Sequence, residues 1–244
     1  MKRDYDLEAL QFGERKYNYD FDSIVREYMM RAFEPFLPDG RALELGCYEG
    51  DSTEWLTRRY ADLTAIEAAP GLVAAARTRF GARVKFICST FEACDLDETF
   101  DAIFLINTLE HLDDPVLVLR RIAGWLAPAG RLFVLVPNAN APSRQIAVKM
   151  GLISHSAAVT DAEWKNGHRN TFSLDTLERA ARDGGLSAIH RGGLIFKALA
   201  NFQFDLALEK QVISRDYVEG CYQLGQHYPD LCASIYLICQ RAEA

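Results

Sequence analysis

Short apolar runs alternate with segments of helical spacing along most of the chain. Strands that alternate with helices in this way are typical of βαβ units, and they indicate an α/β protein with a mostly parallel sheet. The apolar runs predict strands at about 41–46, 62–67, 83–88, 100–107, 130–137, 186–195 and 232–240. The periodicity between them predicts helices at about 52–60, 70–79, 115–126 and 174–183.

Residues 1–36 lie outside this alternation and are rich in tyrosine. Apolar side chains recur with helical spacing over 21–33, which predicts a helix. Two interpretations stay open for this segment. It is either a helix packed on the edge of the sheet, or an N-terminal helical cap in which Tyr17 and Tyr19 cover a ligand site.

Two long connections, 138–170 and 196–230, also interrupt the alternation. Connections in α/β units are usually about 2–6 residues long, so we interpret these as insertions. Long connections beside the carboxyl ends of strands are where substrate pockets are built. Their aromatic and histidine side chains are expected either to form a small second core or, in part, to line a pocket on the substrate side.

The composition is that of an ordinary globular protein, since 49% of the 244 residues are hydrophobic and 25% are charged. We predict a single domain over 1–244. The net charge of −7, without a dense Lys/Arg cluster, disfavours a nucleic-acid substrate. No apolar run approaches the roughly 20 residues of a membrane span, and the N-terminus lacks the character of a signal peptide. The six cysteines include no C-x-x-C pair. We therefore expect reduced thiols in a cytoplasmic protein, either a monomer or a homodimer.

The stretch RALELGCYEGDSTEW, residues 41–55, combines a strand, a glycine turn and the start of a helix. The strand ends at Gly46, and a C-Y-E-G turn follows. Asp51 and Glu54 have the spacing of a capping box, which predicts Asp51 as the N-cap of the next helix. Backbone N–H groups at such a junction face an open site, so this stretch is a candidate ligand site.

An acid at the end of the second predicted strand, Glu67, fits the same site. In doubly wound sheets such an acid accepts hydrogen bonds from the ribose hydroxyls of a nucleoside cofactor. The glycines Gly46 and Gly50 do not have the G-x-G-x-x-G spacing of a dinucleotide site. A nicotinamide oxidoreductase is therefore disfavoured.

Glu44, Gly46 and Gly50 form the pattern E-x-G-x-x-x-G. This pattern resembles motif I of the class I S-adenosylmethionine-dependent methyltransferases, E/D-x-G-x-G-x-G, with Tyr48 in place of the middle glycine. The replacement is a departure, because the middle glycine normally lets the backbone approach the methionine end of the cofactor. Taken alone, the pattern also fits an ordinary strand, turn and helix.

A longer match surrounds the fourth and fifth predicted strands. The segments FDAIFL, LEHLDDP and L-x-P-x-G-R-L-F-V follow one another over 100–134. With motif I they resemble the small-molecule branch of these enzymes, which includes quinone-biosynthesis O-methyltransferases and aminosugar N-methyltransferases. The resemblance implies a Rossmann-like, seven-stranded, mostly parallel sheet of order 3-2-1-4-5-7-6 with strand 7 antiparallel. It also implies S-adenosyl-L-methionine as cofactor and methyl transfer to an oxygen or nitrogen of a small-molecule acceptor.

The resemblance also implies a set of residues around the cofactor. These are Glu44, Gly46, Cys47, Tyr48, Gly50, Glu67, Ala68, Ser89, Thr90, Phe91 and Asn107. In the family an Asp commonly stands at the position of Ser89 and binds the adenine amino group. In this chain only Ser89 or Glu92 could do so, while Thr90 and Phe91 could contact the ring.

Methyl transfer is an in-line attack on the methyl carbon of a sulfonium, so the protein mainly has to align the reactants and exclude water. A hydroxyl or ammonium acceptor must also lose a proton, which calls for a base with a pKa near neutrality. His111, after the fourth strand, is the first candidate, and His168 is the second. We expect them to flank the acceptor from two sides. Alternatively, Glu110 and His111 only shape the turn before the next helix.

A metal-assisted version of the reaction belongs to the same resemblance. Quinone-type O-methyltransferases and small-RNA 2′-O-methyltransferases have E-x-x-E-H, which can hold a divalent ion. Asn107 stands at the first acid here, so a site with two carboxylates is lost, and hard cations favour charged oxygen. We therefore predict no metal, although Glu110 and His111 leave a metal-assisted O-methyltransferase as an alternative. A non-catalytic regulator that binds S-adenosylmethionine is the other alternative.

Overall fold

The strands of the chain form one seven-stranded sheet of order β3-β2-β1-β4-β5-β7-β6 in a computed structural model that describes residues 3–10 and 20–243. The strands are β1 (Arg41–Leu45), β2 (Asp62–Glu67), β3 (Lys85–Cys88), β4 (Phe100–Ile106), β5 (Leu126–Pro137), β6 (Leu186–Phe196) and β7 (Cys232–Arg241). The pairs from β3 to β5 are parallel, and β7 is antiparallel to both of its neighbours. The predicted order is confirmed.

Ten α-helices lie within the described residues. They are α1 (Tyr5–Leu10), α2 (Asp20–Phe33), α3 (Asp51–Arg59), α4 (Pro70–Phe80), α5 (Pro115–Trp125), α6 (Pro142–Lys149), α7 (Asp161–Lys165), α8 (Leu174–Asp183), α9 (Asn201–Glu209) and α10 (Arg215–His227). The 138–170 insertion therefore contains α6 and α7, and the 196–230 insertion contains α9 and α10. Within the described part of the chain, no helix is both long and apolar enough to cross a membrane.

The sheet is buried on both faces, as its nearly continuous apolar strands require. On one face Phe33 of α2 packs against Phe133 of β5 with ring centroids 5.1 Å apart, and Phe133 stacks on Phe104 of β4 at 4.9 Å. On the other face α5 and α8 cover Leu43 and Leu45 of β1. Each fully buried side chain of this size contributes roughly 1.5–3 kcal/mol.

The start of α3 differs from its prediction. Gly50, with φ of 89°, occupies the N-cap position, and no side chain caps the helix. Asp51 is the first helical residue, and its carboxylate pairs with Arg26 at 2.9 Å. The predicted capping box is wrong because the turn closes through a left-handed glycine, whereas a capping Asp51 would need an extended backbone. Asp51 still places a negative charge at the positive end of the helix dipole.

The N-terminal segment packs on the sheet through α2, whose inner side chains Phe21, Ile24 and Met29 are buried. The α9 and α10 helices pack against α2, with Phe204 5.1 Å from Phe21 and Tyr222 4.7 Å from Tyr28. Phe204 and Tyr222 of the second insertion thus extend the main hydrophobic core on this face of the sheet, and they do not form a separate second core. The prediction for Tyr17 and Tyr19 lies outside the described residues.

Candidate active site

A cavity of about 500 Å³ opens at the carboxyl edge of the sheet, among the ends of β1, β2, β4 and β5. Ligands of open α/β sheets bind at this edge. Ten of the predicted site residues line it, namely Gly46, Cys47, Tyr48, Glu67, Ala68, Thr90, Phe91, Asn107, His111 and His168. Glu44, Gly50 and Ser89 do not line the cavity.

The turn after β1 lies on the cavity wall and contains two positive φ angles. Gly46 has φ of 80°, and a Cβ there would lie 2.6 Å from the hydroxyl oxygen of Thr108, so only glycine fits. Tyr48 has φ of 45°. A non-glycine residue in this conformation costs about 1–2 kcal/mol. Tyr48 therefore adopts a glycine-like backbone conformation at the position of the middle glycine of motif I.

Glu67, at the end of β2, accepts three backbone hydrogen bonds. Its Oε1 accepts from the N–H groups of Ala68 at 2.8 Å and Ala69 at 3.1 Å, and its Oε2 accepts from Tyr48 N–H at 3.1 Å. A carboxylate has about four lone-pair sites, so the three amides leave capacity for about one further donor. If both ribose hydroxyls bind Glu67, they must share this remaining acceptor site, or one of them must displace a backbone amide from the carboxylate.

Glu44 lies beneath the turn and is buried. Its Oε2 accepts a 2.6 Å hydrogen bond from Thr53 Oγ1 of α3. Burial raises the pKa of Glu44 to about 8, with the Thr53 hydrogen bond opposing the rise and the charge of Glu67 adding to it. Glu44 thus ties β1 to α3 and supports the turn from below.

The loop after β3 presents Thr90 and Phe91 to the cavity. The Ser89 hydroxyl instead donates to the carbonyl of Thr90 at 3.0 Å. Glu92 lies on the cavity wall. Of the two side chains that could take the place of the family's aspartate, Glu92 is therefore the one that faces the cavity.

A short 3-10 turn at Leu109–His111, here called the Glu-His turn, follows β4. Glu110 is only 2% exposed, and its Oε2 has no hydrogen-bond partner among the described residues. Its Oε1 lies 4.0 Å from His111 Nε2. Burial raises the pKa of the Glu110 carboxyl to about 8.

The 138–170 insertion brings His168 against the Glu-His turn. The imidazole ring centroids of His111 and His168 are 4.7 Å apart at an interplanar angle of 77°. The prediction that the two histidines flank an acceptor from two sides is wrong, because the insertion folds back onto the Glu-His turn. The structure brings them together on one wall of the cavity.

The same three side chains could hold a metal ion. One oxygen of Glu110 and one nitrogen each of His111 and His168 all lie within 4.8 Å of one another. Two imidazoles and one carboxylate suit transition metals such as Zn²⁺ or Co²⁺, whereas Mg²⁺ prefers oxygen ligands. Asn107, which stands at the family's first acid, lines the same cavity.

Several wall residues were not predicted from the sequence. The α1 region contributes Arg3, Tyr5 and Glu8, and α2 contributes Asp22 and Arg26. Arg3 donates to the His111 carbonyl at 3.0 Å and pairs with Glu8 at 2.7 Å. The helical spacing over 21–33 could have identified the α2 residues as neighbours of its buried face, but no sequence signal indicated Arg3.

Comparisons with known proteins agree with this geometry. A family model described as a methyltransferase domain matches residues 17–191. The ubiquinone biosynthesis O-methyltransferase of Xanthomonas axonopodis pv. citri is 32% identical over 202 residues, which cover 78% of this chain and 79% of that protein.

Two solved structures have a similar fold. The CcbJ methyltransferase from Streptomyces caelestis has a TM-score of 0.65 at 15% identity, with 99% of this chain and 100% of that chain covered. The N-methyltransferase NodS from Bradyrhizobium japonicum, solved with S-adenosyl-L-homocysteine, has a TM-score of 0.64 at 14% identity and the same coverage of 99% and 100%.

The sheet order and the glycine turn at its carboxyl edge define a Rossmann-like methyltransferase fold. The chain belongs to the methyltransferase domain family. The predicted cofactor and reaction, S-adenosyl-L-methionine-dependent methylation of a small-molecule acceptor, are confirmed at that level.

Proposed function

We propose that this chain methylates an oxygen or nitrogen atom of a small, partly apolar acceptor, and that His111 or His168 takes the acceptor's proton. The observation that carries the proposal is the pair of imidazoles, 4.7 Å apart, on the wall of the cavity that also holds the motif I turn. Imidazole has a pKa near neutrality without tuning, which suits a general base.

Holding the cofactor falls to the residues around the strand ends. The turn at 46–48 offers backbone groups to the amino-acid part of the cofactor. Glu67 offers one carboxylate oxygen to the ribose. Thr90 and Phe91 contact the adenine. Glu92 faces the cavity where it could meet the adenine amino group. Asn107, with φ of 48° at the end of β4, is the remaining proposed contact. We assign Glu44, Gly50 and Ser89 a supporting role, since none of them lines the cavity.

The chemistry then depends on alignment. When bound, S-adenosyl-L-methionine supplies a methyl group that is already activated on a sulfonium. The protein has to hold the acceptor in line and keep water out. Apolar side chains from α2 and from the ends of β5 and β7 suit this task, and the histidines line the same cavity, where one of them would receive a proton. The apolar wall consists of Phe21, Val25, Met29, Leu135, Pro137 and Ala233.

The setting of the reaction is also part of the proposal. All six cysteines are free, which supports a reducing compartment and hence a cytoplasmic location. The net charge of −7 supports an acceptor other than nucleic acid. We further propose that 1–244 acts as one domain, as a monomer or homodimer.

A metal-assisted O-methyltransferase is the second candidate. Glu110 favours it, because its buried Oε2 has no hydrogen-bond partner among the described residues and its carboxylate lies close to two imidazoles. Glu110, His111 and His168 would hold the ion. A bound cation would favour the deprotonated form of an acceptor hydroxyl.

The test of the proposed function is an acceptor screen scored by release of S-adenosyl-L-homocysteine. Phenols, aminosugars and amino-acid-derived amines are supplied with S-adenosyl-L-methionine and the full chain. We expect turnover with at least one phenol or amine, and mass spectrometry then identifies the methylated atom. Cofactor binding without turnover on the whole panel would instead favour the non-catalytic regulator.

A further inference from the structure

We propose that Arg144 and Glu163, in the 138–170 insertion, are positioning residues that hold His168 in the active site. The inference rests on the proposed function of His168. It extends that function to two residues that do not line the cavity.

Arg144 joins three points of the insertion. It lies on α6 with a side chain 14% exposed, and its Nε and Nη2 donate to the carbonyls of Ser156 and Ala158. Its Nη1 donates to Glu163 Oε1, and Nη2 also reaches Oε2 at 3.3 Å. All three guanidinium nitrogens are thus engaged. A lysine could keep the charge but not this fork of donors.

Glu163 continues the connection toward His168. Its Oε2 accepts from Thr160 N–H at 2.8 Å, and its own N–H donates to Thr160 Oγ1 at 3.1 Å, which fixes the start of α7. Its carbonyl accepts from His168 N–H at 2.9 Å. Burial raises the pKa of Glu163, but the hydrogen bonds from Arg144 and Thr160 and the charge of Arg144 bring it below its ordinary value.

The far side of His168 is docked on the Glu-His turn. The carbonyl of Glu110 accepts from Arg169 N–H at 2.7 Å and from Asn170 N–H at 3.0 Å. Gly167 has φ of 83°, and a Cβ there would lie 3.0 Å from His111 Nδ1. His168 is therefore held between the Arg144–Glu163 pair and the Glu-His turn.

Apolar packing cannot replace these polar contacts. None of the side chains of α6 and α7, all of which the structure describes, is buried. Met150, Leu152 and Trp164 of this insertion are exposed. A five-residue helix such as α7 is also too short to be stable alone. The Arg144–Glu163 pair is thus one of the polar connections that order the segment before His168, together with the hydrogen bond from Thr171 Oγ1 to the Ala157 carbonyl and the stacking of Arg169 on Trp164.

The first test uses imidazole NMR spectra of the full chain with S-adenosyl-L-homocysteine added. The five histidines give few signals, and the spectrum of His168→Ala assigns the one of interest. In Arg144→Lys and Glu163→Gln we expect the His168 signal to shift and broaden, while the signals of His190 and His227 stay unchanged. An unchanged His168 signal in both variants would overturn the proposal.

The second test measures kcat on an acceptor from the screen. Arg144→Lys should lower kcat at least tenfold and leave S-adenosyl-L-homocysteine affinity unchanged. In a His168→Ala background the same change should have no further effect, because Arg144 acts through His168. If the losses of kcat from Arg144→Lys and His168→Ala are fully additive in the double variant, Arg144 does not act through His168 and the positioning role is contradicted. If His168→Ala alone leaves kcat unchanged, the proposed base is wrong, and the NMR test still decides whether the pair positions the side chain.

Two glycines of the insertion provide a matched control. Gly151 has φ of 73°, and a Cβ added there would meet nothing within 4 Å, whereas Gly167 faces His111. Gly167→Ala and Gly151→Ala therefore introduce similar backbone strain, but only the first pushes on the histidine pair. We expect Gly167→Ala to lower kcat at least tenfold and Gly151→Ala to leave it within twofold. Equal losses of kcat in the two variants would show that backbone strain anywhere in the insertion lowers activity, and this would contradict the proposal.

Discussion

The backbone N–H of Tyr48 donates a 3.1 Å hydrogen bond to Oε2 of Glu67. The turn after β1 and the acid at the end of β2 are therefore one unit rather than two neighbouring contacts. Glu67 holds Tyr48 in its left-handed conformation and still lies on the cavity wall. A change at either residue is expected to affect both the shape of the turn and the binding of cofactor.

Glu67→Gln is expected to weaken binding of S-adenosyl-L-homocysteine at least tenfold. The carboxamide loses a charge-assisted acceptor, worth roughly 1.5–3 kcal/mol per bond, and turns an NH₂ group toward one of the three backbone amides. Titration calorimetry measures the affinity. Glu27→Gln, which removes a charge at an exposed position of α2 outside the cavity, serves as control and should bind normally. Unchanged affinity in Glu67→Gln would show that the cofactor site is elsewhere.

Tyr48 provides a test of backbone strain. Because its φ is 45°, glycine should be tolerated there better than alanine. We expect the free energy of unfolding of Tyr48→Gly to exceed that of Tyr48→Ala by about 1 kcal/mol, measured by urea denaturation. The same pair of substitutions at Tyr60, which has φ of −120°, should favour alanine instead. If glycine and alanine differ in the same direction and by the same amount at Tyr48 and at Tyr60, the left-handed conformation of Tyr48 is contradicted.

Glu44 should make stability depend on pH. Its pKa is about 8 when folded, against an ordinary value of 4.5. Between these values the folded chain keeps a proton that the unfolded chain has lost, so the free energy of unfolding falls as pH rises, by up to about 1.4 kcal/mol per pH unit. The contribution is fully present below pH 4.5 and is lost as pH rises through 8.

Glu44→Gln cannot titrate, so the decline of its unfolding free energy over this range should be shallower. Some decline should remain, because burial also raises the pKa of Glu110 to about 8. Denaturation at several pH values checks both statements. Parallel curves for the variant and the wild type would show that Glu44 is ionised in the folded protein.

The sequence predicted the sheet better than the site. Strand order came from the family resemblance carried by motifs along β1, β4 and β5, and the nearly continuous apolar runs of these strands fit a sheet that is buried on both faces. The capping box at Asp51 had the right spacing, yet the left-handed Gly50 decided where α3 begins, and spacing alone carries no information on φ. Likewise, His168 was identified by residue type, but its contact with His111 depends on how the 138–170 insertion folds back. That path depends on contacts between residues distant in sequence, such as the hydrogen bonds from Arg169 and Asn170 N–H to the Glu110 carbonyl.

Chelation tests the role of metal. With a single carboxylate among the three donors, and with Asn107 at the family's first acid, we expect EDTA to leave turnover unchanged. Loss of turnover that Zn²⁺ or Co²⁺ restores better than Mg²⁺ would instead establish the metal-assisted reaction. Glu110→Gln distinguishes the metal-free reaction from the metal-assisted one. If Glu110, His111 and His168 hold the ion, this substitution should weaken Co²⁺ binding, which titration calorimetry measures.

The most direct measurement is the single-turnover rate of methyl transfer in His111→Ala and His168→Ala on an acceptor from the screen. We expect at least one of these substitutions to lower the rate by roughly 10²–10⁴-fold, the usual effect of losing a general base. Affinity for S-adenosyl-L-homocysteine should barely change, because neither histidine is assigned to the cofactor. Wild-type rates in both variants would contradict the account, and catalysis would then depend on alignment of the reactants alone.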